Sequence, residues 1–155
     1  MADFSLEMGT INDLELLGNH RLSMWKEIHP DMTDRIEESA LLTREWIRSK
    51  ILDGSLVALI VKNFHGEVVG SGCILIIEDQ PRPGSLLVRH PYLLSMYTLP
   101  EYRKMGVASL IITNAIKWSK DNGYDRISLH ASKQGKSVYE KFGFQQTNEM
   151  RLKLL

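Results

Sequence analysis

Cysteine is almost missing from this chain: Cys73 is the only one in 155 residues. A single thiol excludes an internal disulfide and a thiolate zinc site, and it suits a reducing compartment. Net charge is missing too, because 19 Lys and Arg balance 19 Asp and Glu. A neutral chain has no broad basic face, so neither nucleic acid nor an anionic membrane is expected as a partner. No apolar run approaches the roughly 20 residues of a bilayer span. Met1-Ala2-Asp3-Phe4-Ser5 carries no basic-then-apolar leader pattern, so a cytoplasmic location is expected. Internal repeats and low-complexity tracts are absent. The five histidines lie scattered without metal-site spacing, and no metal is expected.

What is present is ordinary for a globular protein, with 43% hydrophobic and 25% charged residues. The length suits one domain with a real core, taken as residues 1–155. The loop Asp79-Gln80-Pro81-Arg82-Pro83-Gly84-Ser85 has linker-like composition but is too short to divide the chain.

Periodicity sets the elements. Phe4 to Met8 alternates and predicts a first strand. Thr10 with Asp13 makes a capping box. Leu14, Leu17, Arg21, Trp25 and Ile28 then form a helical stripe that His29-Pro30-Asp31 breaks. A second helix is expected from Thr33 or Asp34, capped with Glu37, and carried by Ile36, Ala40, Leu41, Trp46, Ile47 and Ile51 to Asp53-Gly54. Residues 55–62 are nearly all apolar and predict a buried strand. A turn at 63–66 leads to a strand over 67–78, forming a hairpin. Gly70 and Gly72 there imply a bulge or a close backbone approach. A strand follows over 86–98, then a helix from Val107 to Asp121 stopped at Gly123. A strand over 124–131, a short helix over 136–141 and a last strand over 144–154 complete the order β-α-α-β-β-β-α-β-α-β. The expected fold class is α+β, a mixed sheet with helices on its faces.

The chain turns on Tyr102-Arg103-Lys104-Met105-Gly106-Val107-Ala108-Ser109-Leu110, which joins a strand to a helix N-terminus. Unpaired N–H groups and the positive dipole end favour an anion there. Arg103 and Lys104 add mobile charge. Gly106 permits close backbone approach, and Ala108 keeps the first turn narrow. By itself this stretch is equally suited to phosphate, a nucleotide or sulfate. Gly135-Lys136-Ser137 superficially matches the end of a Walker A loop, but His130 stands where that motif needs glycine.

Three segments coincide: Arg103-x-x-Gly106-x-Ala108 opening a helix after a strand, Leu129-His130-Ala131-Ser132-x-x-Gly135, and Tyr139-Glu140-Lys141-Phe142-Gly143-Phe144. Together, and in an element order matching over essentially the whole chain, they resemble the GNAT superfamily of acyl-CoA-dependent N-acyltransferases. The resemblance implies a V-shaped gap between the parallel strands at 92–98 and 126–131, where backbone groups of Met96, Tyr97 and Thr98 pair with pantetheine as a strand would. It places the pyrophosphate of acetyl-CoA on Arg103, Lys104, Met105, Gly106, Val107, Ala108 and Ser109. Ser132 falls where many members have a pantetheine-contacting asparagine, and Ser137 and Phe142 border the cofactor.

The implied chemistry is direct attack of an amine on the thioester. Tyr139 matches the family tyrosine beside the coenzyme A sulfur, and a backbone N–H near Tyr97 is the expected oxyanion donor. The strand 92–98 offers no carboxylate to serve as base. Glu78, His90, Glu27 and His29 are candidates on flanking elements, and a water relay is another. Trp25, Trp46 and Trp118 lie on apolar helix faces and read as core, with Trp25 also placed to line the acceptor site beside Glu27, Asp31 and Asp34. Three functions fit: an acetyltransferase acting on a small amine or peptide, an acyl-CoA sensor without catalysis, and a protein N-terminal or lysine acetyltransferase. The resemblance also makes a homodimer an expected state.

Overall fold

The computed structural model describes residues 3–155. Its frame is one five-stranded sheet in the order β1-β2-β3-β4-β5, with β1 Ser5–Met8, β2 Leu56–Lys62, β3 Val68–Glu78, β4 Arg89–Thr98 and β5 Ser128–Leu129. Neighbours are antiparallel except the parallel pair β4 and β5. The helices are α1 Leu14–Ile28, α2 Thr33–Glu38, α3 Ala40–Leu52, α4 Val107–Asp121 and α5 Lys136–Lys141.

Strand β2 reads as continuous apolar sequence because both its faces are covered. Leu59 and Val61 join Val69, Ile74 and Leu93 beneath Val107, Ile111, Ile112 and Ala115 of α4. Leu56, Ala58 and Ile60 face the other way, where Leu17 of α1 and Ile47 of α3 close a second cluster around Cys73. The mixed α+β class is therefore as the sequence predicts. Among the described residues, no helix is long and apolar enough to cross a membrane.

The irregularity expected at Gly70 and Gly72 divides into two features. Cys73 faces Leu94 and Ser71 faces Tyr97, so β4 carries one residue more than β3 across this step. The extra residue thus sits in β4, where Ser95 takes the left-handed conformation with φ 56°. A second irregularity lies beside Gly70 itself, where Val61 faces Gly70 and Lys62 faces Val68, and both glycines also answer to close approach. A Cβ on Gly70 would lie 2.6 Å from Val107 Cγ1 and 2.9 Å from the Tyr97 carbonyl oxygen, and one on Gly72 would lie 2.8 Å from Ile111 Cγ2. The missing side chains let α4 sit directly on the sheet.

Five expectations are corrected. The helix predicted from Thr33 to Ile51 is two helices, α2 and α3, divided at Ser39, whose hydroxyl donates back to the Ile36 carbonyl at 2.7 Å. Its Thr33/Asp34–Glu37 cap does not form: no side chain caps α2, and Glu37 pairs with Lys26 of α1. Strand 86–98 starts only at Arg89, with Pro91 inside it opposite Ile76, and strand 124–131 shrinks to Ser128–Leu129. The strand predicted over 144–154 is not formed. Met150, Leu152 and Leu154 alternate as expected but are 95%, 81% and 83% exposed. Residues 144–155 form no ladder with any strand, because β5 is too short to offer them an edge.

Candidate active site

Strands β4 and β5 pair only at Tyr92–Ser128 and Leu93–Leu129. Beyond Leu93 they separate, as the sequence reading expects. The bulge at Ser95 turns β4 away, so the edge of Met96, Tyr97 and Thr98 that faces β5 has no strand partner. On that edge the Met96 groups and the Thr98 N–H are open to a strand-like ligand, whereas the Thr98 carbonyl accepts from Arg103 Nε and the Tyr97 groups turn toward Ser71 of β3.

The gap runs into the loop before α4. Arg103 is extended, Lys104 takes φ 61° and Gly106 takes φ 94°. Two left-handed residues in three turn successive amides toward one concavity. No side chain caps α4, so the N–H groups of Val107, Ala108 and Ser109 remain free at its positive end. Met105, Gly106 and Ser109 are exposed, whereas the Val107 side chain is buried in the core and offers only its backbone. This uncapped, cation-flanked turn fits a pyrophosphate.

Tyr139 of α5 and Phe142 just after it pack against the core cluster and line a cleft of about 710 Å³ with β5, the end of α4 and residues 144–149. Burial pushes the Tyr139 phenol up to about 12, so it keeps its proton at neutral pH. Ser132 Oγ accepts from the Gly135 N–H at 3.1 Å, shaping the turn into α5 and leaving its own proton to donate. Ser137 is exposed on the outer side of α5.

On the α1 side, Tyr97 is the hub. Its hydroxyl donates to Glu27 Oε1 at 3.2 Å, and its ring lies 5.1 Å from that of His20. Arg103 holds Glu27 through Nη2, at 2.8 Å to Oε1 and 2.7 Å to Oε2, while its Nε donates to the Thr98 carbonyl at 3.0 Å. Its guanidinium stands 5.6 Å from the Tyr97 ring centroid. The bond to Glu27 raises the Arg103 pKa further, and burial, then Glu27, raises that of Tyr97. Trp25 and His29 stack at 5.6 Å on the same helix end.

Among the base candidates, only Glu27 comes to Tyr97. Glu78 pairs with Arg89 at the opposite end of β4, eight residues or about 26 Å along the strand. His90 is bonded to Ser128 and Arg126 at that same end. Sequence reasoning overlooked His20, Arg21, Ser71 and Ser95. His20 is buried and bonded to Ser71 at 2.7 Å, and burial lowers its pKa. Arg21 donates to Ser95 Oγ at 2.8 Å. The signal was there for one of them: Arg21 is a charged residue inside the apolar stripe of α1.

A parallel pair that splays into an uncapped helix N-terminus, with a half-buried tyrosine beside it, is the framework of an acetyltransferase. The family model described as Acetyltransferase (GNAT) family matches residues 21–144, and the chain belongs to that family. It is similar to a GCN5-related N-acetyltransferase from Ralstonia eutropha, at 25% identity over 98% of this chain and 99% of that one, with a TM-score of 0.92. A predicted acetyltransferase with acetyl-CoA from Clostridium acetobutylicum matches at 25% identity over 98% and 97%, with a TM-score of 0.87. The aminoglycoside N-acetyltransferase AAC(6')-Iy in complex with CoA shares the fold at 20% identity over 99% and 95%, with a TM-score of 0.69. No curated protein matches the sequence.

Proposed function

We propose that the protein transfers an acetyl group from acetyl-CoA to a primary amine of a small molecule. The observation that carries this reading is the gap between β4 and β5 running into the Arg103–Ser109 turn. The free edge of β4 around Tyr97, at Met96 and the Thr98 N–H, holds the pantetheine arm, and the first-turn amides of α4 hold the pyrophosphate. Acetyl-CoA supplies an activated thioester; the chain supplies position and proton transfer. A backbone N–H beside Tyr97, on the gap edge of β4, stabilises the developing oxyanion. Glu27, bonded to the Tyr97 hydroxyl, takes the proton of the incoming ammonium. Tyr139 bonds to the departing thiolate. Its own pKa near 12 makes proton transfer to a thiolate of ordinary basicity, about 8.5, uphill. Tyr139 therefore acts first as a hydrogen-bond donor, and the proton follows as burial in the same site raises the thiolate.

An acceptor screen that reads free thiol released from acetyl-CoA tests the proposal. Amine-dependent release supports it. Tight acetyl-CoA binding with no release on any amine, peptide or protein would instead favour an acyl-CoA sensor.

A further inference from the structure

Arginines in this protein are paired with carboxylates, with a telling exception. Arg44, Arg82, Arg89, Arg103, Arg126 and Arg151 each have a carboxylate oxygen within 4.0 Å. Arg35 and Arg48 do not, and both stand exposed in solvent. Arg21 is half-buried and has no carboxylate partner among the described residues. Its one hydrogen bond is to a neutral hydroxyl, Ser95 Oγ at 2.8 Å. Its guanidinium stands 5.6 Å from the Trp25 ring centroid, and four of its five N–H donors have no acceptor among the described residues. Burial disfavours its charged form. A charge taken from water needs a partner, and the described residues provide none.

Space for that partner is present. Arg21 lines a cavity of about 250 Å³ with Leu42, Thr43 and Trp46 of α3 and Leu94 of β4. Leu42, Leu94 and most of the Trp46 ring are apolar, with the Thr43 hydroxyl and the Trp46 indole N–H as the neutral polar groups, and the cavity opens to solvent beside Leu42. Arg21 links the cavity to β4 near the proposed reaction centre. His20 and Arg21 are neighbours on α1, His20 packing on Tyr97 and Arg21 reaching Ser95. Ser95 precedes Tyr97 by two residues, about 7 Å along the strand.

We propose that Arg21 receives the anionic group of the acceptor, which makes the substrate class a small amine that also carries an oxyanion, carboxylate or phosphate. Bidentate pairing to guanidinium is the matching geometry. The amine then lies a few bonds away, beside Tyr97 and Glu27. This rests on the acetyltransferase reading above.

The test uses the full chain with acetyl-CoA and matched acceptors: glycine, L-alanine, L-methionine and L-glutamate against their α-carboxamides, and O-phosphoethanolamine against ethanolamine. The anionic member of a pair should show kcat/KM on the order of 10- to 100-fold higher, as expected for a charge-assisted bond. The pair that shows the preference tells carboxylate from phosphate. Arg21→Met should abolish the preference, Arg21→Lys should keep part of it, and both should retain the thermal shift given by acetyl-CoA. The idea fails if wild type favours the uncharged members. It also fails if Arg21→Met slows both members of a pair alike, which would make Arg21 only a pin for Ser95. If no member is turned over, the CoA-loaded protein is melted with millimolar glycine, L-glutamate and inorganic phosphate. A shift that disappears in Arg21→Met sustains the proposal, and no difference between the two proteins overturns it. Loss of the acetyl-CoA shift in wild type would sink the acetyltransferase reading instead.

Discussion

The side of the site proposed for the cofactor is made of backbone, and the side proposed for the acceptor is made of side chains. At residues 103–109 the working groups are amides, opened by the positive φ of Lys104 and Gly106 and by the missing cap on α4. At the other side, His20, Arg21 and Glu27 project from α1 onto β4, joined to Ser71, Ser95, Tyr97 and Arg103 by bonds that span 51 to 76 residues. Backbone geometry is tied to a local sequence, so it tolerates exposure and varied side chains. A side-chain site depends on how two distant elements pack. The first can stay constant while the second is altered, which separates holding the acyl donor from choosing the amine.

Variants can break this comparison in turn. The largest effect is expected for Tyr139→Phe: turnover falls about 1,000-fold for loss of a positioned proton donor, with acetyl-CoA affinity nearly unchanged. Steady-state kinetics beside calorimetry checks this, and unchanged turnover would remove Tyr139 from the chemistry. Glu27→Gln should slow turnover about 100-fold. It should also tighten CoA binding, by no more than about fivefold, because the exposed ion pair that ties up Arg103 is gone. Weaker CoA binding in this variant would mean that Glu27 holds Arg103 where the pyrophosphate needs it, instead of withholding it. Gly106→Ala puts a Cβ at φ 94° and should cost about 1–2 kcal/mol. The melting temperature should then drop by roughly 2–8 °C, and acetyl-CoA binding should weaken without any change in acceptor preference.

The smallest effect concerns pH. Burial lowers the His20 pKa below its unfolded value of about 6.5. Between the two values the unfolded chain binds more protons, so stability should fall as pH drops below about 6.5 and level off once the folded pKa is passed. Denaturant titrations from pH 7.5 to 5 should show a flatter dependence in His20→Gln, a change small beside the others. An equal slope in both proteins would mean that His20 is not held neutral against Ser71.

The same division decides what could be read in advance. The Thr10–Asp13 capping box, the α4 stripe and the Gly106 turn are local, and each stands as expected. Alternation at Met150, Leu152 and Leu154 is also local, but a strand needs a neighbour, and the two-residue β5 supplies none. Glu78 and Glu27 were equal candidates because position along a strand is not visible until β3 and β4 are in register. Arg21 read as a member of an apolar stripe, and its lack of a counter-ion became visible only with the fold.

The most direct test of the central claim is a melting comparison of acetyl-CoA with S-acetylpantetheine, which lacks the pyrophosphate. Ligand that binds only the folded state raises the melting temperature, by about 2.7 kcal/mol of stability at a hundredfold excess over Kd. The account predicts a clear rise with millimolar acetyl-CoA and a much smaller one with S-acetylpantetheine. Equal shifts would contradict the assignment of the Arg103–Ser109 turn to the pyrophosphate, and no shift with either would contradict the acyl-CoA site altogether.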